Sequence, residues 1–290
     1  MSIDRLQERI RKLKNPTVVE FDLLQEHIPA MFLEQESFFS GAFERYSKVL
    51  LDALKDAVPA VRFSMNQASV YGPEGLMALR ELLRYATELG YYVILDGPAA
   101  FSARDGERTA DLLLDGSWKF DALAVTAYIG SDAIRPCFEK LKDSDKALFV
   151  LTRSANRSCQ EIQDLLTGSR LVYQAMADVV NRFAQGGTGR SGYGAVAAIA
   201  PANAPKTLAI LREKYKYQFL LVEGYDAPSA NAKNCANAFD RLGHGACVCA
   251  GTSITAAWQE DPWTQADYRE AALEAAMRMK KNLLRYVTVL

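Results

Sequence analysis

Short apolar runs recur along this chain at intervals that leave room for a helix between each pair. The first is Thr17-Val18-Val19-Glu20-Phe21-Asp22, and others follow at residues 60–66, 91–96, 122–128, 146–152, 194–200, 218–222 and 246–250. Runs that stay apolar without alternating suit strands covered on both faces, as in a parallel sheet wrapped by helices. The segments between them carry the 3.6-residue period instead. Within 38–57, Phe39, Phe43, Tyr46, Leu50, Leu51 and Leu54 fall on one side. Residues 72–89 read as a helix with Pro73 in its first turn, where a missing N–H costs nothing. Further helices are predicted from Ser131-Asp132, over a long stretch at 160–184, and at 203–215. A short leading helix at 4–13 is broken by Asn15-Pro16, and an amphipathic helix at 265–286 closes the chain, with Tyr268, Ala272, Ala275, Met279 and Leu283 on one face. Eight strands, each followed by a helix, predict an α/β fold: a (β/α)8 TIM barrel forming a single domain over 1–290. An open doubly wound sheet fits less well, because no glycine fingerprint follows the first strand.

Composition narrows the function classes. The 290 residues are 49% hydrophobic, enough for one large core. With 34 basic and 35 acidic residues the net charge is -1, which argues against a nucleic-acid or anionic membrane partner. No run of 18 apolar residues suggests a membrane span, and the charged start Met1-Ser2-Ile3-Asp4-Arg5 is unlike a signal peptide, so a cytoplasmic location is expected. The five cysteines, with Cys247 and Cys249 alternating in an apolar run, read as reduced structural thiols. With only His27 and His244 available, no metal site is expected, and no cofactor.

The run at 91–96 carries the candidate chemistry. Asp96 stands where its strand should end, and barrels place their reacting groups at the carboxyl ends of strands. The loop after it, Gly97-Pro98-Ala99-Ala100-Phe101-Ser102-Ala103-Arg104-Asp105, is rich in small residues and has no lysine. Asp22 closes the first strand in a similar way, as a site acid or as a helix cap. The glycine-rich loop from Gly186 to Gly192 is either a lid over the barrel mouth or a mobile connection. Trp258 and Trp263, flanking Asp261-Pro262, are expected to pack the closing helix.

Several segments, in order along nearly the whole chain, resemble the longer bacterial subgroup of the orotidine 5'-phosphate decarboxylase family. Asn15-Pro16-Thr17-Val18-Val19 leading to Phe21-Asp22 is similar to that family's first strand. Tyr71-Gly72-Pro73-Glu74-Gly75-Leu76, Tyr128-Ile129-Gly130-Ser131-Asp132 and Arg153-Ser154-Ala155-Asn156 are similar to three further family segments. Gly224-Tyr225-Asp226-Ala227 stands where the family has a glycine-rich turn.

The resemblance implies a barrel that removes carbon dioxide from a pyrimidine nucleotide in pyrimidine biosynthesis. In that family an interlaced lysine, aspartate, lysine, aspartate set supplies preorganised charge, usually the largest catalytic term. Here Arg62 aligns with the first lysine and Asp96 with the first aspartate. Pro98 replaces the proton-donating lysine, and no lysine lies between Lys55 and Lys119. Phe101 replaces the second aspartate unless an insertion shifts that role to Asp105, with Thr109 as its ribose-binding neighbour. By the same alignment Asp22 and Asn156 belong to the substrate site, although Ala155 has lost the serine that meets the base. Pro228 and Thr252 stand where the phosphate-binding glutamine and arginine are expected, leaving backbone amides near Gly224 and Gly251 as the remaining cradle for a phosphate.

The expectation is therefore a homologue that lacks the catalytic lysine and is non-catalytic or partner-dependent. It would bind a nucleotide or sugar phosphate, as a homodimer or as a heterodimer with an active paralogue. The alternative is a working but divergent decarboxylase, or a related sugar-phosphate lyase or isomerase, using Asp22, Arg62, Asp96 and Asp105 as a new acid/base group.

Overall fold

A computed structural model describes residues 1–22, 24–184 and 187–290. Eight parallel strands close into a barrel: β1 (Thr17–Glu20), β2 (Ala60–Ser64), β3 (Tyr92–Asp96), β4 (Ala122–Thr126), β5 (Ala147–Leu151), β6 (Val196–Pro201), β7 (Leu220–Glu223) and β8 (Ala246–Ala250). Each pairs with its neighbours in sequence, and β8 returns to β1 through Thr17–Val248 and Val19–Ala250. Closure leaves no sheet edge, and every strand is almost wholly buried, which is why the runs need no polar alternation. The architecture is the (β/α)8 barrel that the apolar spacing predicts.

The outer layer comprises α1 (Ser2–Leu13), α2 (Phe39–Leu54), α3 (Gly72–Glu88), α4 (Ala103–Asp111), α5 (Arg135–Leu141), α6 (Val172–Ala184), α7 (Pro205–Lys214) and α8 (Tyr268–Leu283). The helix face read from the sequence in α2 is the face that packs: Phe43, Tyr46, Leu50, Leu51 and Leu54 are buried. Each buried leucine there contributes roughly 1.5–3 kcal/mol of transfer free energy. Tyr46 also stacks edge-on with Phe32 and Tyr268 and donates to the Thr255 carbonyl at 2.6 Å, joining α2 to the end of the chain.

Three expectations are corrected. No long helix fills 160–184. A 3-10 turn (Arg157–Glu161) and a small hairpin (Leu166–Thr167 with Arg170–Leu171) precede α6. The chain leaves the helical path because Arg153 clamps Asp164 with two bonds of 2.8 and 2.7 Å, and Gln163 accepts the Ser154 N–H at 2.9 Å. Gly168, at φ +66, then turns the hairpin where a side chain would be strained. The run 60–66 ends its strand at Ser64, whose Oγ accepts the Gln67 N–H and caps a short helix (Met65–Val70). After β7 and β8 only four-residue helices follow directly (Ala232–Cys235 and Thr252–Thr255).

The glycine-rich loop does not cover the mouth, because it leads into β6 at the opposite end of the barrel. Gly186 lies outside the described residues. Ser191 bonds Asp4 through both its N–H (2.8 Å) and its hydroxyl (2.6 Å), pinning the loop to α1. A Cβ on Gly189 would sit 2.4 Å from the Asp4 carboxylate, so only glycine allows this approach. Trp258 and Trp263 pack half-buried against the core, and the Trp258 indole donates to the His27 carbonyl. No helix among the described residues is long and apolar enough to cross a membrane.

Candidate active site at the carboxyl face

The carboxyl ends of β1, β2, β3 and β7 each contribute one charged side chain to a single cluster. Arg62 is at its centre and is buried. Its Nε donates to Asp96 Oδ1 at 2.8 Å, and its Nη1 lies 3.4 Å from Glu223 Oε2 and 3.5 Å from Glu20 Oε1. In the sheet β7 is separated from β2 by β8 and β1, so the Arg62–Glu223 contact runs through the barrel interior. On β8, the Cys249 thiol points at Glu20 Oε2 from 3.8 Å.

Three carboxylates around one guanidinium leave a net charge of about -2 if all are ionised, in a space with little water to screen it. Burial pushes the Glu20 carboxyl up to about 7; Asp96, Glu223 and Asp22 add repulsion that Arg62 only partly offsets. Burial and Asp96 likewise raise Glu223 against the pull of Arg62. Burial works against the charge on Arg62, but Asp96 and Glu20 outweigh it and hold the guanidinium firmly protonated. Burial pushes the Cys249 thiol well above its ordinary range, so it is no thiolate nucleophile.

The predicted site residues divide into groups. Arg62 and Asp96 meet at the cluster's centre. Asp22 is exposed on the rim, near enough to Glu20 to raise its proton affinity. Asp105 is spent locally: it accepts from the Phe101 N–H (3.1 Å) and the Ser102 hydroxyl (2.8 Å) at the start of α4, and its ion pair is with Arg108. These bonds, led by Ser102, hold its carboxyl below the usual range. Thr109 is buried, with its methyl against Gly97. Asn156 is exposed at the head of the 3-10 turn and caps nothing. Pro98 is exposed in the loop after β3, which Asn66 holds by accepting the Ala99 N–H at 3.0 Å.

Of the amides expected to cradle a phosphate, those of the loop after β8 are already occupied. The Asp226 carboxylate accepts the Gly251 N–H at 2.8 Å and the Ser253 N–H at 3.3 Å, and its other oxygen takes the Ser253 hydroxyl. Gly224, at φ +74, turns the chain after β7 so that Asp226 reaches the β8 loop; a Cβ there would come within 2.7 Å of Ala155 Cβ. Thr252 begins the short helix behind this contact.

Glu20, Glu223 and Asp226 are the site residues that the sequence reading passes over. Glu20 and Glu223 carried the signal that singled out Asp96, an acid directly after an apolar run. Glu20 lies inside the run that ends at Asp22, and Glu223 stands one residue beyond the run 218–222.

A closed barrel with its ionic cluster at the carboxyl ends of the strands has the layout of the α/β-barrel enzymes. No family model matches the chain. It is 26% identical to the orotidine 5'-phosphate decarboxylase of Clostridium novyi (strain NT), covering 97% of this chain and 98% of that protein. It is 27% identical to the enzyme of the same name from Clostridium acetobutylicum, covering 98% and 99%. The structure of Leishmania donovani OMP decarboxylase superposes with a TM-score of 0.73 over 98% of both chains, at 22% identity. Over nearly its whole length the chain is thus similar to proteins named orotidine 5'-phosphate decarboxylase.

Proposed function

We propose that this chain is a non-catalytic or partner-dependent homologue of the decarboxylase of pyrimidine biosynthesis. The observation that carries the reading is the state of the carboxyl face. Among the described residues the cluster's one cation, Arg62, is tied to Asp96, Glu223 and Glu20, and Asp226 fills the Gly251 and Ser253 amides on the side where a phosphate would sit. Orotidine monophosphate brings a carboxylate and a phosphate dianion, and the acidic cluster repels both. The general acid is also missing: Pro98 holds the lysine position and has no proton to give. A partner role, as a homodimer or as a heterodimer with an active paralogue, would make use of a retained scaffold. Asp105, engaged with Ser102 and Phe101 on its own loop, is a poor candidate for lending to a neighbouring site.

The test is calorimetric titration with 6-azauridine monophosphate, alongside a decarboxylation assay on the same preparation. Neither binding nor turnover is expected. Tight binding with turnover overturns the reading, and binding alone would recast the protein as a nucleotide sensor. Pro98→Lys should restore no useful activity, because the phosphate contacts are missing as well; substantial turnover in that single variant contradicts the proposal.

One observation favours a second reading, a divergent enzyme. A carboxyl group that titrates near neutrality beside a fixed cation at a barrel mouth is suited to acid/base work. That group would combine Glu20, Arg62, Asp96 and Glu223, with Asp22 at its rim, and would leave out Asp105.

A further inference from the structure

We infer that the carboxyl-face cluster is a proton-exchanging device: it holds one proton at neutral pH, Glu20 is the residue that releases it, and Arg62 is the fixed counter-charge. The argument begins with counting. A single guanidinium faces three carboxylates within 3.5 Å, from β1, β3 and β7. Asp96 has the best of it, a short bond from Nε at 2.8 Å. Nη1 donates to Glu223 at 3.4 Å and meets Glu20 only as an ion pair at 3.5 Å, and each of these acids lies in the field of the other two. With one positive charge among three acids, the more weakly held of these two is the one that keeps a proton.

Geometry then separates the two. Glu223 lies nearer to the guanidinium and accepts a hydrogen bond from the backbone of Ala155 as well. Glu20 is the more distant, has Asp22 as a further acidic neighbour, and meets only the weak thiol donor of Cys249 on β8. With Arg62 on β2, Asp96 on β3, Glu223 on β7 and Cys249 on β8, these are the titratable and charged groups that face Glu20. The direction of the Glu20 shift agrees with this assignment. The device is independent of turnover, so it holds whether or not the mouth has a substrate.

The experiment is a pH titration of the glutamate side-chain carboxyl carbons by NMR on the uniformly 13C-labelled protein, with Glu20→Gln and Glu223→Gln alongside. The wild type should show one glutamate with a midpoint displaced from the usual range to about 7. That resonance should be lost in Glu20→Gln, and in Glu223→Gln it should persist with its midpoint shifted down, since one repelling charge is gone. A wild type in which no glutamate titrates above pH 6 overturns the proposal. So does a neutral titration that survives in Glu20→Gln and disappears in Glu223→Gln, which would place the proton on the other acid.

Discussion

At the amino-terminal end of the barrel Asp4 binds Ser191 through two donors, and its carboxyl falls to about 2; although burial opposes this, the Ser191 bonds and the Met1 amino group outweigh it. At the carboxyl end Glu20 shares one arginine with two competitors and rises to about 7. Burial pushes both carboxyls up; around Asp4 the hydrogen-bond donors outweigh it, and around Glu20 they do not. One end of this barrel has more donors than its acid needs and the other has fewer, and the contrast separates a tether from a cluster poised to change charge.

Removing the shared cation should have the largest effect. Arg62→Met leaves three carboxylates unpaired and should cost about 3–5 kcal/mol at pH 8, the range for breaking a buried ion pair from one side. The cost should shrink at pH 5, as the acids take up protons. Urea unfolding at both pH values measures it, and an equal cost at each would show that the cluster is not under-supplied. Asp4→Asn should cost roughly 1–3 kcal/mol near neutrality, because it disturbs charge-assisted bonds to Ser191. Since the folded value of Asp4 lies below 3.8, its contribution is complete above that pH and is lost as pH falls toward 2. The variant should therefore be insensitive in the window where the wild type weakens.

Glu20→Gln should have the opposite sign. A carboxyl raised in the folded state, from 4.5 to about 7, contributes its full stability below 4.5 and loses it as pH climbs through 7. Taking that slope away should make the variant more stable than the wild type at pH 8, by about 1–3 kcal/mol. Parallel stability curves for the two proteins across pH 5–8 would break the comparison. The smallest effect belongs to Asp226→Ala, which frees two exposed amides and should cost about 1 kcal/mol, as loss of a helix cap does. Faster amide exchange at Gly251 and Ser253 would be its direct signature.

Most of the framework was legible in the chain because burial on both strand faces leaves an uninterrupted apolar signature, which needs no partner to be recognised. The region after β5 was not, because its path depends on Arg153 reaching Asp164, and helical periodicity continues through both the true helix and the turn before it. Arg62 and Asp96 could be paired from their positions at adjacent strand ends. Glu223 could not be added, since its contact crosses the barrel and is visible only once the sheet has closed. Asp226 is harder still: nothing in Gly224-Tyr225-Asp226 signals that the carboxylate will bend back onto the next loop. Asp105, by contrast, had a local explanation in view, because Ser102 stands three residues ahead of it at a helix start.

The shared arginine also restricts how this barrel can change over time. Four strand ends depend on one another through Arg62, so a substitution at any of them is felt by the other three. A descendant that swapped Arg62 alone would cross a deep stability trough before any benefit appeared, and one that neutralised Glu20 first would meet a shallower path. The order in which mutations can be accepted is thus written into the cluster, with the acids open to exchange before the cation that holds them.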